Sequence, residues 1–163
     1  MACGPVKKRS EKTLALDLGL HLFLAVVLGV IFFKLTGGWK WPVLVFAGGV
    51  LIDLDHLWDH FLYFGNKGTL RDFFGHKYLC SGKVYILFHS WEIVILVALS
   101  GFFVPWAIPL SCGMAAHLLV DQFLSHSNEP FFYFFVYRAY RKFNLRELLP
   151  GRIPEEYLER NGV

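Results

Sequence analysis

The stretch from Leu14 to Phe33, LALDLGLHLFLAVVLGVIFF, decides the class of fold. Its length is about the 20 apolar residues that an α-helix needs to cross the ~30 Å hydrocarbon core of a bilayer. Asp17 and His21 interrupt the run at a spacing of i and i+4, so the carboxylate is in a position to orient the imidazole. The stretch therefore predicts a membrane-spanning helix that carries polar groups within it.

The rest of the chain continues this pattern. Its 163 residues are 55% hydrophobic and 18% aromatic, which is too apolar for a soluble domain of this size. Three more stretches of spanning length run from Trp41 to Leu62, from Val84 to Val104 and from Pro105 to Leu124. We therefore predict an all-α fold, namely an integral membrane four-helix bundle that occupies residues 1–128.

The segment after the fourth span has a different composition. Residues 129–143 read EPFFYFFVYRAYRKF, in which aromatic side chains are followed by Arg138, Arg141 and Lys142. Embedded aromatic rings, with basic groups at the level of the lipid phosphates, are typical of an amphipathic helix in the membrane interface. We predict that residues 129–163 form such a helix on the cytoplasmic side and a polar tail. A protein contact or simple anchoring is the alternative.

The basic residues orient the spans. Four spans place both termini and the loop between the second and third spans on one side of the membrane. Fourteen of the 16 Lys and Arg residues lie on that side, and only Lys34 and Lys40 lie on the other. The positive-inside rule makes the richer side the cytoplasm. We therefore predict a multi-pass protein of the inner (plasma) membrane with cytoplasmic termini, whose basic groups contact lipid headgroups rather than nucleic acid.

Histidines and acidic residues lie inside all four spans. Because the spans alternate in direction, these groups fall in one layer, about 7 to 13 Å inside the cytoplasmic boundary of the hydrocarbon core. Ionisable groups at such a depth are costly unless they are paired or bound, so the layer indicates a functional site. Its members are Asp17, His21, Asp53, Asp55, His56, His89, Glu92, His117 and Asp121, while Asp59 and His60 lie nearer the interface.

The chemistry of this layer favours a metal ion. Imidazoles and carboxylates without cysteine suit Zn, and also Mn or Fe(II). The candidate ligands outnumber the three that one catalytic zinc takes from protein, so one or two divalent ions are expected. Two ions about 3.5 to 4 Å apart activate water for attack on a phosphate ester. Taken singly, His21 or His60 also fits a hydrogen bond between helices, and Asp59 and His60 fit solvated groups at a helix end.

Three short motifs resemble the membrane-bound metal-dependent hydrolase family, which includes the LexA-regulated inner-membrane proteins and is distantly similar to zinc-dependent phospholipase C. They are IDLDH at residues 52–56, FHS at residues 88–90 and HLLVD at residues 117–121, preceded by His21 in the first span. The family has proline where this chain has Ile52, and threonine where it has Phe88.

The resemblance implies a membrane-embedded metal-dependent hydrolase that acts on a lipid-borne ester, foremost a phosphoester, at the cytoplasmic headgroup level. It implies metal-ligand roles for His21, Asp53, Asp55, His56, His89, His117 and Asp121. Asp55 or Glu92 is expected to take the proton from water. A metal-ion or proton transporter and a haem-binding membrane anchor are the alternatives, and the sequence leaves the oligomeric state open.

Overall fold

The computed structural model describes residues 11–74, 77–124 and 129–150. These residues form helices and turns and contain no β-strand, which confirms the all-α prediction for the described part of the chain. The α-helices are α1 (Glu11–Thr36), α2 (Lys40–Leu51), α3 (Asp55–Phe64), α4 (Leu70–Phe74), α5 (Trp91–Ser100), α6 (Ala107–Leu124), α7 (Phe135–Tyr140) and α8 (Leu145–Leu148). Short 3₁₀ turns cover Ile52–Leu54, Gly65–Lys67 and Lys77–Ser81.

Three helical stretches are long and apolar enough to cross a membrane. They are Leu16–Thr36, Lys40–Lys67 and Ala107–Leu124. Their positions agree with the first, second and fourth predicted spans, because the apolar length of a span follows from the thickness of the hydrocarbon core. The chain therefore has the length and composition of a membrane protein.

The predicted third span is not one long helix. The helix α5 occupies only Trp91–Ser100, and residues 84–90 before it are not helical. Ile86 has a φ of +27°, and the N–H of Ser90 donates to the carbonyl of Phe88 at 2.8 Å, which is a tight turn. The prediction of a helix from Val84 was wrong because side chains from other elements satisfy the backbone of this segment, so it does not need helical hydrogen bonds.

The second span is interrupted where its acidic residues begin. The helix α2 ends at Leu51, a 3₁₀ turn covers Ile52–Leu54, and α3 starts at Asp55. Carbonyl groups in the last turn of an α-helix have no intrahelical donor. The carbonyl of Gly49 is one of them, and it accepts a hydrogen bond from Nδ1 of His117 at 2.7 Å. The interruption therefore gives a histidine of α6 its partner.

The helices α2 and α6 pack against each other at backbone distance. A Cβ atom added to Gly48 would overlap the carbonyl oxygen of Leu110, and one added to Gly113 would overlap the carbonyl oxygen of Val45. Small residues allow helices in a membrane to approach closely enough for dispersion contacts to hold them. The helix α1 packs on both α2 and α6, and α5 packs on α6.

Residues 129–150 pack into the same core as these helices. The cluster of buried apolar side chains comprises Ile52, Val84, Ile86, Val94, Met114, Leu118, Phe132, Tyr133, Leu145 and Leu148. Arg138 is 0% exposed, so the prediction that its charge lies at the lipid phosphates was wrong. The α-helix that carries it, α7, has only six residues. The predicted domain boundary after residue 128 and the polar tail after residue 150 lie outside the described residues.

Gly113→Ala is expected to force α2 and α6 apart. The new methyl group would meet backbone atoms, including the amide nitrogen of Gly49 at 2.9 Å, and backbone cannot swing aside as a side chain can. We expect a loss of at least the roughly 1 to 3 kcal/mol that overpacking costs, measured as a lower thermal unfolding midpoint in detergent.

Gly19→Ala is the matched control for this substitution. A Cβ at Gly19 has no atom within 4 Å, and the position lies inside α1, where alanine favours helix over glycine. The control should therefore unfold at or slightly above the wild-type midpoint. If Gly113→Ala were as stable as Gly19→Ala, the close contact between α2 and α6 would be refuted.

Candidate metal centre

Four imidazoles converge on two carboxylates. The six side chains form two groups of three, and within each group the potential ligand atoms all lie within 4.8 Å of one another. One group is His21 of α1 with His117 and Asp121 of α6, and the other is Asp53, His56 and His89. Six of the seven residues predicted as metal ligands are therefore brought together, and they come from four separate parts of the chain.

Within each group the Nε2 atoms point at a carboxylate. Nε2 of His21 and Nε2 of His117 are each 3.4 Å from an oxygen of Asp121. In the other group, Nε2 of His89 is 3.3 Å from Oδ1 of Asp53, and Nε2 of His56 is 4.0 Å from the same atom.

Contacts across the two groups make them halves of one centre. Oδ1 of Asp53 is also 3.4 Å from Nε2 of His117, and Oδ2 of Asp121 is 3.8 Å from Nε2 of His89. The rings of His89 and His117 touch edge to face, with their centroids 5.2 Å apart. Each carboxylate therefore lies between histidines of both halves.

Backbone carbonyls hold the outer nitrogens of two of these rings. Nδ1 of His21 donates to the carbonyl of Asp17 at 2.8 Å, and Nδ1 of His117 donates to the carbonyl of Gly49 at 2.7 Å. The carboxylate predicted to orient His21 is further away, with Oδ1 of Asp17 at 3.9 Å from Nδ1. A carbonyl partner puts the proton on Nδ1 and leaves the lone pair of the neutral ring on Nε2, as in metal-binding histidines.

Side chains hold the outer nitrogens of the other two rings. Nδ1 of His89 is 2.9 Å from Oδ1 of Asp55, and Nδ1 of His56 is 3.1 Å from the hydroxyl of Tyr78. Burial raises the pKa of Tyr78, so its hydroxyl keeps its proton and remains a neutral partner. All four imidazoles are thus fixed from behind and present Nε2 to the centre.

The inner nitrogens of two rings have no hydrogen bond to the part of the chain that the structure describes. Nε2 of His21 and Nε2 of His89 are buried and make none with any described residue, although carboxylate oxygens lie 3.4 and 3.3 Å away. With the proton on Nδ1, each Nε2 lone pair faces a carboxylate oxygen, and two acceptors repel each other. A cation between them removes the conflict, since both groups are ligands.

The remaining predicted ligand, Asp55, lies behind the centre. Its carboxylate accepts the backbone N–H of His89 at 3.1 Å and contacts Nδ1 of the same residue at 2.9 Å. Glu92, predicted as a proton acceptor, is also engaged elsewhere: its carboxylate accepts the N–H groups of Phe135 and Val136 at 2.9 and 3.0 Å. The structure therefore gives Asp55 an orienting position and places Glu92 at the start of α7.

Asp59 and His60 do not join the six converging side chains. Asp59 is buried and accepts the backbone N–H of Tyr85 at 2.9 Å. The ring of His60 packs against Phe64 and Phe73. Sequence reasoning missed two contributors, Tyr78 and Arg138, because neither lies in a motif or at a helical spacing from the ligands.

The centre opens to its surroundings at Asp53. The side chain of Asp53 is 56% exposed, whereas those of His89 and His117 are 0% and 5% exposed. Asp53 therefore lies on the exposed side of the centre, and His89 and His117 lie at its buried back.

The fold and the centre together define a helical protein of membrane type with a His/Asp cluster suited to divalent metal. The chain belongs to the DUF6122 family, a family of unknown function whose sequence pattern matches residues 12–123. That range includes all six converging side chains and ends before α7. No curated protein and no solved structure matches the chain.

Asp55→Asn is expected to weaken metal binding by about 10- to 100-fold, the usual cost of losing an outer partner of a ligand. The amide has one acceptor atom for the two His89 groups that the carboxylate serves, and it lacks the charge that stabilises a ligating imidazole. The measurement is competition between a chelator and the detergent-solubilised protein for Zn²⁺ or Mn²⁺.

Asp72→Asn is the control. The ammonium of Lys77 lies 2.6 Å from Asp72 and lowers the pKa of that carboxyl to about 2, so Asp72 is charged at neutral pH. Its oxygens bond Thr69 and Lys77 rather than a histidine of the centre. Wild-type affinity in Asp55→Asn would show that Asp55 does not orient a ligand.

Proposed function

We propose that this protein is a membrane-embedded hydrolase that uses divalent metal to cleave a lipid-borne phosphoester at the cytoplasmic headgroup level. The observation that carries the proposal is the convergence of four Nε2 atoms on two carboxylates, with every Nδ1 held by another group. Such an arrangement is costly in apolar surroundings unless it binds something. The resemblance of IDLDH, FHS and HLLVD to membrane-bound metal-dependent hydrolases supports the same chemistry.

The two halves favour two ions. Each half offers two imidazoles and one carboxylate, which suits Zn and also Mn or Fe(II). Three protein ligands leave a coordination position for water or substrate, as catalytic zinc sites do and closed structural sites do not. Asp53 and Asp121 each contact histidines of both halves, so each carboxylate would be within reach of either ion.

A pair of metal ions supplies an activated water and stabilises the attacking and leaving oxygens of a phosphoester. The chain supplies the proton acceptor. Asp55 and Glu92 are occupied by His89 and by the amides of α7. Asp53 is exposed, and its three histidine contacts all use Oδ1. We therefore assign the water proton to Oδ2 of Asp53.

The proposed setting is a four-helix bundle with the centre near its cytoplasmic end. The four helices α1, α2, α5 and α6 pack together. Because α5 has only ten residues, residues 84–90 before it supply the rest of the third crossing. The turns at the other end expose aromatic side chains, as is usual at a membrane–water interface. These are Trp39, Phe102, Phe103 and Trp106. The bias of Lys and Arg places both termini in the cytoplasm.

The test is metal analysis beside a lipid assay. The protein, purified in detergent without added metal, should hold two equivalents of divalent metal and release phosphate or headgroup from a lipid panel. His117→Ala removes a ligand, so it should lose at least one equivalent and at least about 100-fold in turnover, more than the loss of an outer partner costs.

His60→Gln is the matched histidine control, because His60 packs against Phe64 and Phe73 rather than facing the centre. It should retain both metal equivalents and wild-type turnover. Metal-free wild-type protein, or full turnover in His117→Ala, would contradict the proposal. Metal-dependent ion flux into sealed vesicles without hydrolysis would instead support the transporter.

A further inference from the structure

One arginine of the C-terminal segment, which we define as residues 129–150, is buried against residues 86–90, the stretch that includes His89. Arg138 of α7 is 0% exposed. Its Nη1 donates to the carbonyls of His89 and Phe132 at 2.9 and 3.2 Å. Its Nη2 donates to the carbonyl of Ile86 at 2.9 Å and to Oγ of Ser90 at 2.5 Å. Three of its four acceptors therefore lie within residues 86–90.

The hydrogen bonds of Arg138, together with those of Asp55, satisfy backbone groups of the stretch that includes His89. Residues 86–89 are not helical, so their amides and carbonyls need other partners in low-dielectric surroundings. Asp55 accepts the N–H of His89, and Arg138 donates to the carbonyl of the same residue. A carboxylate and a guanidinium thus hold the N–H and the carbonyl of one histidine.

The charge of Arg138 is retained at a cost. Burial lowers the pKa of Arg138 to about 10, because desolvation disfavours the charged form. The side chain nevertheless remains charged at neutral pH, and the four hydrogen bonds described above go to neutral oxygens. A guanidinium offers five donors in a fixed fork, which no apolar or lysine side chain supplies. The fixed geometry of these donors lets one side chain bond four acceptors at this position.

Other residues of the C-terminal segment form hydrogen bonds to residues on either side of 86–90. The N–H of Trp91 donates to the carbonyl of Tyr133 at 2.9 Å, and the N–H of Val84 donates to that of Phe143 at 3.1 Å. Lys83 and Asn144 form an isolated antiparallel bridge. The residues on both sides of His89 are therefore tied to a segment outside the range that the family pattern matches.

We propose that Arg138 is a positioning residue for the half of the centre formed by Asp53, His56 and His89, and that the C-terminal segment is thereby required to complete that half. The inference rests on the proposed metal-dependent function. None of the hydrogen bonds described for Arg138 goes to the half formed by His21, His117 and Asp121. Loss of Arg138 should therefore empty one half and leave the other filled.

The experiment compares Arg138→Met with Arg141→Met in the full-length protein loaded with Mn²⁺. Arg141 is the matched control, since it is 40% exposed and its ion pair is with Glu147. Arg138→Met should fall from two bound ions to one, and its electron paramagnetic resonance spectrum should change from a spin-coupled pair to an isolated ion. Arg141→Met should keep two coupled ions. Arg138→Lys keeps the charge without the fork and should behave as Arg138→Met.

Hydrogen exchange supplies a readout that needs no metal. In metal-free protein, the amides of residues 86–91 should exchange at least tenfold faster in Arg138→Met than in Arg141→Met, while those of α6 should not change. Metal-free wild-type protein would refute the proposed function, and the exchange rates would still decide whether Arg138 holds this segment. Two coupled ions with wild-type exchange in Arg138→Met would overturn the inference. Loss of both ions together with general unfolding would also overturn it, because Arg138 would then support the whole fold.

Discussion

The structure depends on the need of every buried polar group for a partner. Residues 84–90 show this most directly: the amides of Tyr85 and His89 bond to Asp59 and Asp55, and the carbonyls of Ile86 and His89 bond to Arg138. Irregular backbone inside a membrane protein persists where other protein groups replace the internal hydrogen bonds of a helix. The same replacement fixes His89, which a regular helix would present on a different face. Asp55 and Arg138 thus satisfy buried backbone groups and also hold the candidate ligand His89 in place.

The apolar helices and the common depth of the polar residues were accessible from the sequence. Apolar length alone places α1 and α6, because the hydrocarbon thickness sets it, and alternating direction brings His21 level with His117. The irregular segment was not accessible. Its apolar residues have the same composition whether helical or not, and the groups that decide the matter lie 34 and 49 positions away from His89, in Asp55 and Arg138.

The different contacts of the acidic residues could not be predicted from the sequence either. Asp53 and Asp55 are two positions apart, which puts them on nearly opposite sides of a regular helix, yet the IDLDH motif implied a ligand role for both. Asp53 lies in the 3₁₀ turn Ile52–Leu54 and faces the imidazoles, whereas Asp55 stands behind His89. Glu92 is a turn from the centre along the chain but caps a helix from another segment. Which carboxylate meets which nitrogen therefore depends on tertiary contacts.

The glycine contact between α2 and α6 has a mechanical consequence. Gly48 and Gly113 lock the two backbones together, and His117 bonds to Gly49 beside that contact. Sliding of one helix along the other by a single residue would move His117 by about 1.5 Å and break its bond. A bilayer of unsuitable thickness is commonly accommodated by tilting. Because these two helices must tilt as one rigid pair, the spacing of their ligand-bearing ends stays constant as the lipid environment varies.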